Sequence, residues 1–170
     1  MFVYSVKSSK LKIAAIAAAV VAAIFAIVFY SGSDKPAVNS SGISLKAGTN
    51  EERIAFLSQF GWDIDEDPIE VTEVIIPSEF DSDYEMYNKI QTAQNLDLLP
   101  FAGKRVKRWT YSINNYPEYE NKKGVIRANI LVYEGAVVGG DVCSIELDGF
   151  MHGFDFPDKS NQQAESQRVK

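Results

Sequence analysis

Cys143 and His152 are the single cysteine and the single histidine of this 170-residue chain, and the one pair that could do thiol chemistry with an imidazole base. Cys143 lies in a β-branched run, where a small hydrophobic cysteine usually belongs to a core, and His152 follows a turn at Gly149. The expectation is a buried structural thiol. A lone cysteine forms no intramolecular disulfide, and with one histidine it makes no zinc site by itself.

Carboxylates are far more plentiful. Ten acids and no base lie between Asp63 and Glu85. The run Asp63-Ile-Asp65-Glu-Asp67 sets oxygen ligands at alternate positions, as a calcium loop begins. Pro68 then stands where such a loop needs glycine, and Val74 where it needs a bidentate glutamate. A solvated acidic loop ahead of an edge strand is the simpler reading, and no metal or cofactor is expected. Asp141 follows Gly139-Gly140, so a bulge there could aim its carboxylate at a ligand or at a backbone amide. Paired with an acid from 63–73, it would give a carboxylate-dependent hydrolase. Nothing in the spacing marks one pair above the others.

Lys104, Arg105, Lys107 and Arg108 interleave with Trp109 and Tyr111. That pattern can stack nucleic-acid bases. Here residues 51–156 hold 20 acids and 9 bases, a net of about −11, which repels phosphates. No nucleic-acid partner is expected. The bases should pair with acids of the 63–73 segment and of the following helix, or form a local docking patch. Trp109, Tyr111, Lys107, Arg108 and Asp141 are the candidate binding residues, and no catalytic residue is assigned.

The elements that must position these residues are legible from periodicity and breakers. Thr49 and Glu52 form a capping-box pattern, and Ile54, Leu57 and Phe60 recur at near-helical spacing before Gly61. They predict a helix over 51–60, with Trp62 packed behind it. Residues 69–76 read as a strand ending at Pro77. Ser78 can cap a second helix over 79–94, with a stripe of Phe80, Tyr84, Tyr87 and Ile90. A turn at 98–103 leads to a strand over 104–114, and a polar loop covers 115–124. A strand over 125–133 puts Ile126, Ala128, Ile130 and Val132 on one face. Glu134-Gly135 is a two-residue hairpin turn into a strand over 136–147. The order is α-β-α-β-β-β, an α+β domain over 49–156 whose antiparallel sheet packs on two helices along one face.

Residues 13–30 contain no charge, proline or glycine. At 1.5 Å per residue they span about 27 Å, close to the bilayer's roughly 30 Å hydrocarbon core. Lys7, Lys10 and Lys12 precede this run, so the positive-inside rule puts 1–12 in the cytoplasm and the domain outside. A cleaved signal peptide is the rival reading, but the apolar run is long and no clean cleavage site follows. Serine, glycine and proline dominate 31–48, a flexible linker. The polar tail 157–170 is read as disordered.

The segments RIAFLSQFGWDIDEDPIEVTEVIIPSEFDSDYEMYN, GKRVKRWTYSINNYP and VIRANILVYEGAVVGGDVCSIELDGFMHGF resemble a bacterial, Firmicutes-type family of membrane-anchored domains of unknown function, over about 53–154. The resemblance implies an anchor-plus-domain layout and carries over no catalytic residue. The leading expectation is an extracytoplasmic interaction module for a protein or peptide partner, held in the lipid bilayer through 13–30. A carboxylate-dependent surface enzyme, or a structural subunit of a membrane complex, is the alternative.

Overall fold

The computed structural model describes residues 42–157. The expected cytoplasmic segment, the span over 13–30, most of the linker and nearly all of the tail lie outside those residues. Among the described residues no helix is long and apolar enough to cross a membrane.

The elements run α1 (Asn50–Ser58), β1 (Glu70–Ile75), α2 (Ser82–Ala93), a 3-10 turn (Leu99–Phe101), β2 (Arg105–Ser112), β3 (Ile126–Tyr133), β4 (Ala136–Ser144) and β5 (Met151–His152). The strands form one antiparallel sheet in the order β1-β2-β3-β4-β5. The expected α+β order holds, and the segment after Gly149 adds a short fifth strand.

α1 starts as its capping box dictates. The Thr49 side chain accepts from the Glu52 N–H, and the Glu52 carboxylate accepts from the Thr49 N–H at 3.1 Å. Losing such a cap costs about 1 kcal/mol. The helix is rotated from the expected stripe: it buries Arg53, Phe56 and Leu57, while Ile54 is half-buried. α2 is capped by Asp81, which accepts from the Tyr84 N–H at 2.8 Å, and not by Ser78. Its buried residues are Asn88 and Gln91, with Phe80, Tyr84 and Tyr87 half-buried beside them. The aromatic stripe is thus displaced by amides, for a reason that lies on β4.

β5 is too short to cover that edge. At Gly140 a glutamine of α2 and the one that caps its C-terminus stand in for a strand: Gln91 Oε1 accepts the Gly140 N–H at 2.8 Å, and Gln94 Nε2 donates to the Gly140 carbonyl at 2.9 Å. Gln94 Oε1 also accepts the Phe154 N–H at 2.8 Å. Buried backbone groups need such partners. Gly140 has φ +151°, and a Cβ there would collide with the Asn129 carbonyl oxygen and the Phe154 ring. The register shift between Leu131 and Val132 leaves Val138 as the extra residue of a bulge next to Gly139.

The helices lie on opposite faces of the sheet, which corrects the expected one-sided packing. On the first face, Phe56 and Leu57 of α1 join Tyr111, Ile113, Ile130 and Val142 in the larger core. On the second, Tyr84 and Tyr87 of α2 border Ile76, Leu98, Val106, Leu131 and Val138. Strand alternation distributes the residues: Ile126, Ala128, Ile130 and Val132 face α1, and Leu131 faces α2.

The end of the expected linker belongs to the domain. Ala47 is fully buried, its N–H bonds the Gly135 carbonyl at 2.8 Å, and the Val137 N–H bonds the Leu45 carbonyl at 2.8 Å. Gln59 clasps both backbone groups of Ser44. Ile43 and Leu45 supply the apolar contacts that hold this stretch down.

Candidate functional site

The sheet separates the five sequence candidates. Lys107, Trp109 and Tyr111 alternate along β2 toward α1, whereas Arg108 points to the other side. Asp141 also lies on the α2 face, where it meets Tyr87.

On the α1 face, a cavity of about 390 Å³ opens between the chain before α1, the sheet and the Glu134-Gly135 hairpin. Arg53, Lys107, Trp109, Arg105, Glu73 and Val132 line it. Arg53 is the organising residue, although it is a charged side chain only 4 % exposed. Its guanidinium carbon sits 3.5 Å from the centre of the Trp109 ring. Its Nε donates to the Tyr111 hydroxyl at 2.8 Å and its Nη1 to the Ala47 carbonyl at 3.0 Å. The Tyr111 hydroxyl donates onward to Asn50 Oδ1 at 2.8 Å. Burial raises the Tyr111 phenol above its ordinary value, so it stays protonated and keeps donating.

All of these partners are neutral. Among the described residues Arg53 joins no ion pair. Buried charges are ordinarily paired, so a guanidinium on a cavity wall with no described carboxylate in bonding distance is unusual, although Glu51 feels its charge and Glu73 and Glu134 share the wall. Lys107 on the same wall is exposed and also has no carboxylate partner among the described residues, whereas Arg105 is held by Glu73 at 3.2 Å. Tyr111 is fully buried and so acts behind the wall, not as a contact surface.

The cavity continues onto an uncovered part of the sheet. Val71 pairs with Trp109, Glu73 with Lys107 and Ile75 with Arg105. Val71 is 46 % exposed and Ile75 59 %. β1 is an outer strand, and the bond from the Ile76 N–H to the Lys104 carbonyl sets the alternation. It aims the backbone groups of Val71, Glu73 and Ile75 away from β2. The basic strand is thus tied to acids of β1, through Arg105–Glu73 and Arg108–Glu70 at 3.4 Å, and not to α2.

On the α2 face, Asp141 is 3 % exposed. Its Oδ2 accepts from the Tyr87 hydroxyl at 2.9 Å and its Oδ1 from Asn129 Nδ2 at 2.8 Å. Thr110 donates to Asn129 Oδ1 at 2.8 Å, extending the chain to a third strand. Burial raises the Asp141 carboxyl against the opposing pull of those bonds. Glu70 shares this face at the same register, three strands away. Three spacings of about 4.8 Å separate the two strand positions by about 14 Å, beyond the roughly 5–9.5 Å of a working carboxylate pair. Glu70 therefore does not form a working pair with Asp141.

Cys143 and His152 end up on adjacent strands, yet His152 pairs with Val142 and Cys143 with Met151, so thiol and imidazole point to opposite faces. Burial and the neighbouring Asp141 push the thiol up to about 11, far from a reactive thiolate. His152 instead meets the Tyr116 hydroxyl at 3.1 Å. The calcium-like run is absorbed into the fold: Ile64 bridges to Ile113, and Asn114 donates to Asp65 at 3.0 Å. Among the described residues no group of three potential metal ligands converges.

Sequence reasoning missed Arg53. The signal was present, since Arg53 precedes Phe56 and Leu57 by three and four residues and so shares their helix face.

A family model described as "Domain of unknown function (DUF4830)" matches residues 56–142, just over half of the chain. No curated protein and no solved structure matches.

Proposed function

The chain belongs to the DUF4830 family of domains of unknown function, and on that premise we propose that it is an interaction module that docks an extended segment of a partner protein. The observation that carries the reading is the uncovered stretch of β1 and β2 beside the Arg53–Trp109 cavity. There Val71, Ile75 and Trp109 offer apolar surface within a strongly acidic domain. Exposed apolar rows that adjoin a preformed cavity are typical of docking surfaces.

The same proposal includes the location. Residues 13–30 act as a single membrane span, 1–12 stay in the cytoplasm, and the domain stands outside a bacterial cell membrane. The run of uncharged residues and the three preceding lysines support this. A protease added to intact cells should remove an epitope placed at the C-terminus and leave one at the N-terminus.

Docking is tested by selecting a displayed peptide library on the full-length chain. Enriched peptides should be apolar, and should bind a Val71→Lys/Ile75→Lys double variant at least about tenfold more weakly. Both positions are exposed, so the variant should keep the fold. If no peptide is enriched, or the double variant binds equally well, the docking reading is wrong.

A further inference from the structure

We infer that the Arg53 cavity is a carboxylate-binding site, and that this is the chemical group by which a docked segment is recognised. The second clause rests on the docking reading, whereas the site itself does not.

Three observations converge on an anion. Arg53 is a nearly fully buried guanidinium whose described hydrogen bonds all go to neutral acceptors. Those bonds engage one N–H each on Nε, Nη1 and Nη2, and the long one, to Asn50 Oδ1, is 3.4 Å. A guanidinium carries five N–H donors, so two remain. Lys107 adds a second positive charge on the same wall, with no ion pair among the described residues. The site is also preorganised: Trp109 supports one face of the guanidinium, while the Tyr111–Asn50 relay fixes its direction. A guanidinium held in this way needs little ordering when an anion arrives.

The wall charges also select the anion. Glu73 and Glu134 line the same cavity and disfavour a second negative charge. A guanidinium can take up a carboxylate or a phosphate through two N–H groups, so the two wall glutamates make the choice, and they favour a singly charged carboxylate over a phosphate dianion. The apolar contributions of Trp109 and Val132 suit a carboxylate carried on an aliphatic group. In a peptide it could be an acidic side chain or the chain terminus.

The test is a nitrogen-15 NMR titration of the full-length chain in detergent micelles. It follows the Arg53 Nε–H and Trp109 indole signals. The probes are sodium propionate, propionamide and inorganic phosphate. Propionate should shift both signals saturably, and the other two should not. Lys107→Glu, a change at an exposed position, should weaken propionate about fivefold or more. Propionamide acting as well as propionate, propionate moving neither signal, or an unaltered affinity in Lys107→Glu would each overturn the site. An acetylated Val-Ile-Val tripeptide is then compared as its free acid, as its amide, and as an amide with a central glutamate. Tighter binding of the free acid identifies a chain terminus, and tighter binding of the glutamate form identifies a side chain. If propionate binds and all three peptides fail, the docking reading falls while the carboxylate site stands. If the three peptides bind equally and propionate does not bind, the carboxylate site falls while docking stands.

Discussion

Arg53 and Trp109 meet across the gap between α1 and β2, with the guanidinium carbon 3.5 Å from the ring centre. This contact places a positive charge in a nearly buried position with no ion-pair partner among the described residues. Its cost is offset by three hydrogen bonds and by the ring's negative face, a contact worth about 0.5–2 kcal/mol. The pair joins the first helix to the sheet and shapes the cavity wall at the same time.

The hydroxyl of Tyr111 is the hinge of that arrangement, because it accepts from Arg53 and donates to Asn50. Tyr111→Phe should leave the Arg53 Nε–H buried without a partner. The expected loss is about 1–3 kcal/mol, read as a lower urea midpoint with an unchanged slope. No change in midpoint would mean that water reaches Arg53 freely.

Gln94 bonds backbone groups of two separate segments, the Gly140 carbonyl and the Phe154 N–H. Gln94→Leu keeps the approximate bulk and strands both buried groups. A loss of about 2–4 kcal/mol is expected. Hydrogen exchange at Phe154 should rise by more than at Ile130 in the sheet centre, which distinguishes a local cap from general loosening.

Burial raises the carboxyl of Asp141, so the folded chain binds its proton at higher pH than the unfolded chain does. Between the ordinary carboxylate value and the raised native one, the folded state therefore holds more protons, and stability falls as pH rises. Asp141→Asn removes this titration. The stability of the parent chain relative to that variant should decline as pH is raised from about 4 to about 7, measured by paired urea titrations. A flat difference would show that Asp141 ionises as an exposed acid does.

The thiol of Cys143 is pushed up to about 11, chiefly by burial. Alkylation by iodoacetamide at pH 8 should run on the order of a hundredfold slower than for free cysteine, whose pKa is about 8.5. The rate should still be climbing above pH 10. A rate near that of free cysteine would contradict the packing around β4.

The sequence by itself determined the local elements and most of the domain's character. Capping at Thr49, the β-branched runs, the Glu134-Gly135 turn and the acidity of residues 51–156 are decided by neighbours along the chain, so they are legible there. The face carrying Ile126, Ala128, Ile130 and Val132 follows from a period of two within one strand. What lay beyond it was every relation between elements. Ser78 reads as the cap of the second helix, whereas the helix begins at Ser82 with Asp81 as its cap. The helices could share a face or take one each, and in the fold α1 packs on one core and α2 on the other. The bases and aromatics of 104–111 read as a local patch, with Asp141 as a separate candidate. Alternation sent Lys107, Trp109 and Tyr111 to one side and Arg108 to the other, while Asp141 joined Tyr87. Arg53 became the centre of the site only when α1 laid it on Trp109, more than fifty residues away in sequence. Periodicity states which residues share a face. Which surface that face meets is set by packing and by the need of buried polar groups for partners, and those partners are distant in the chain.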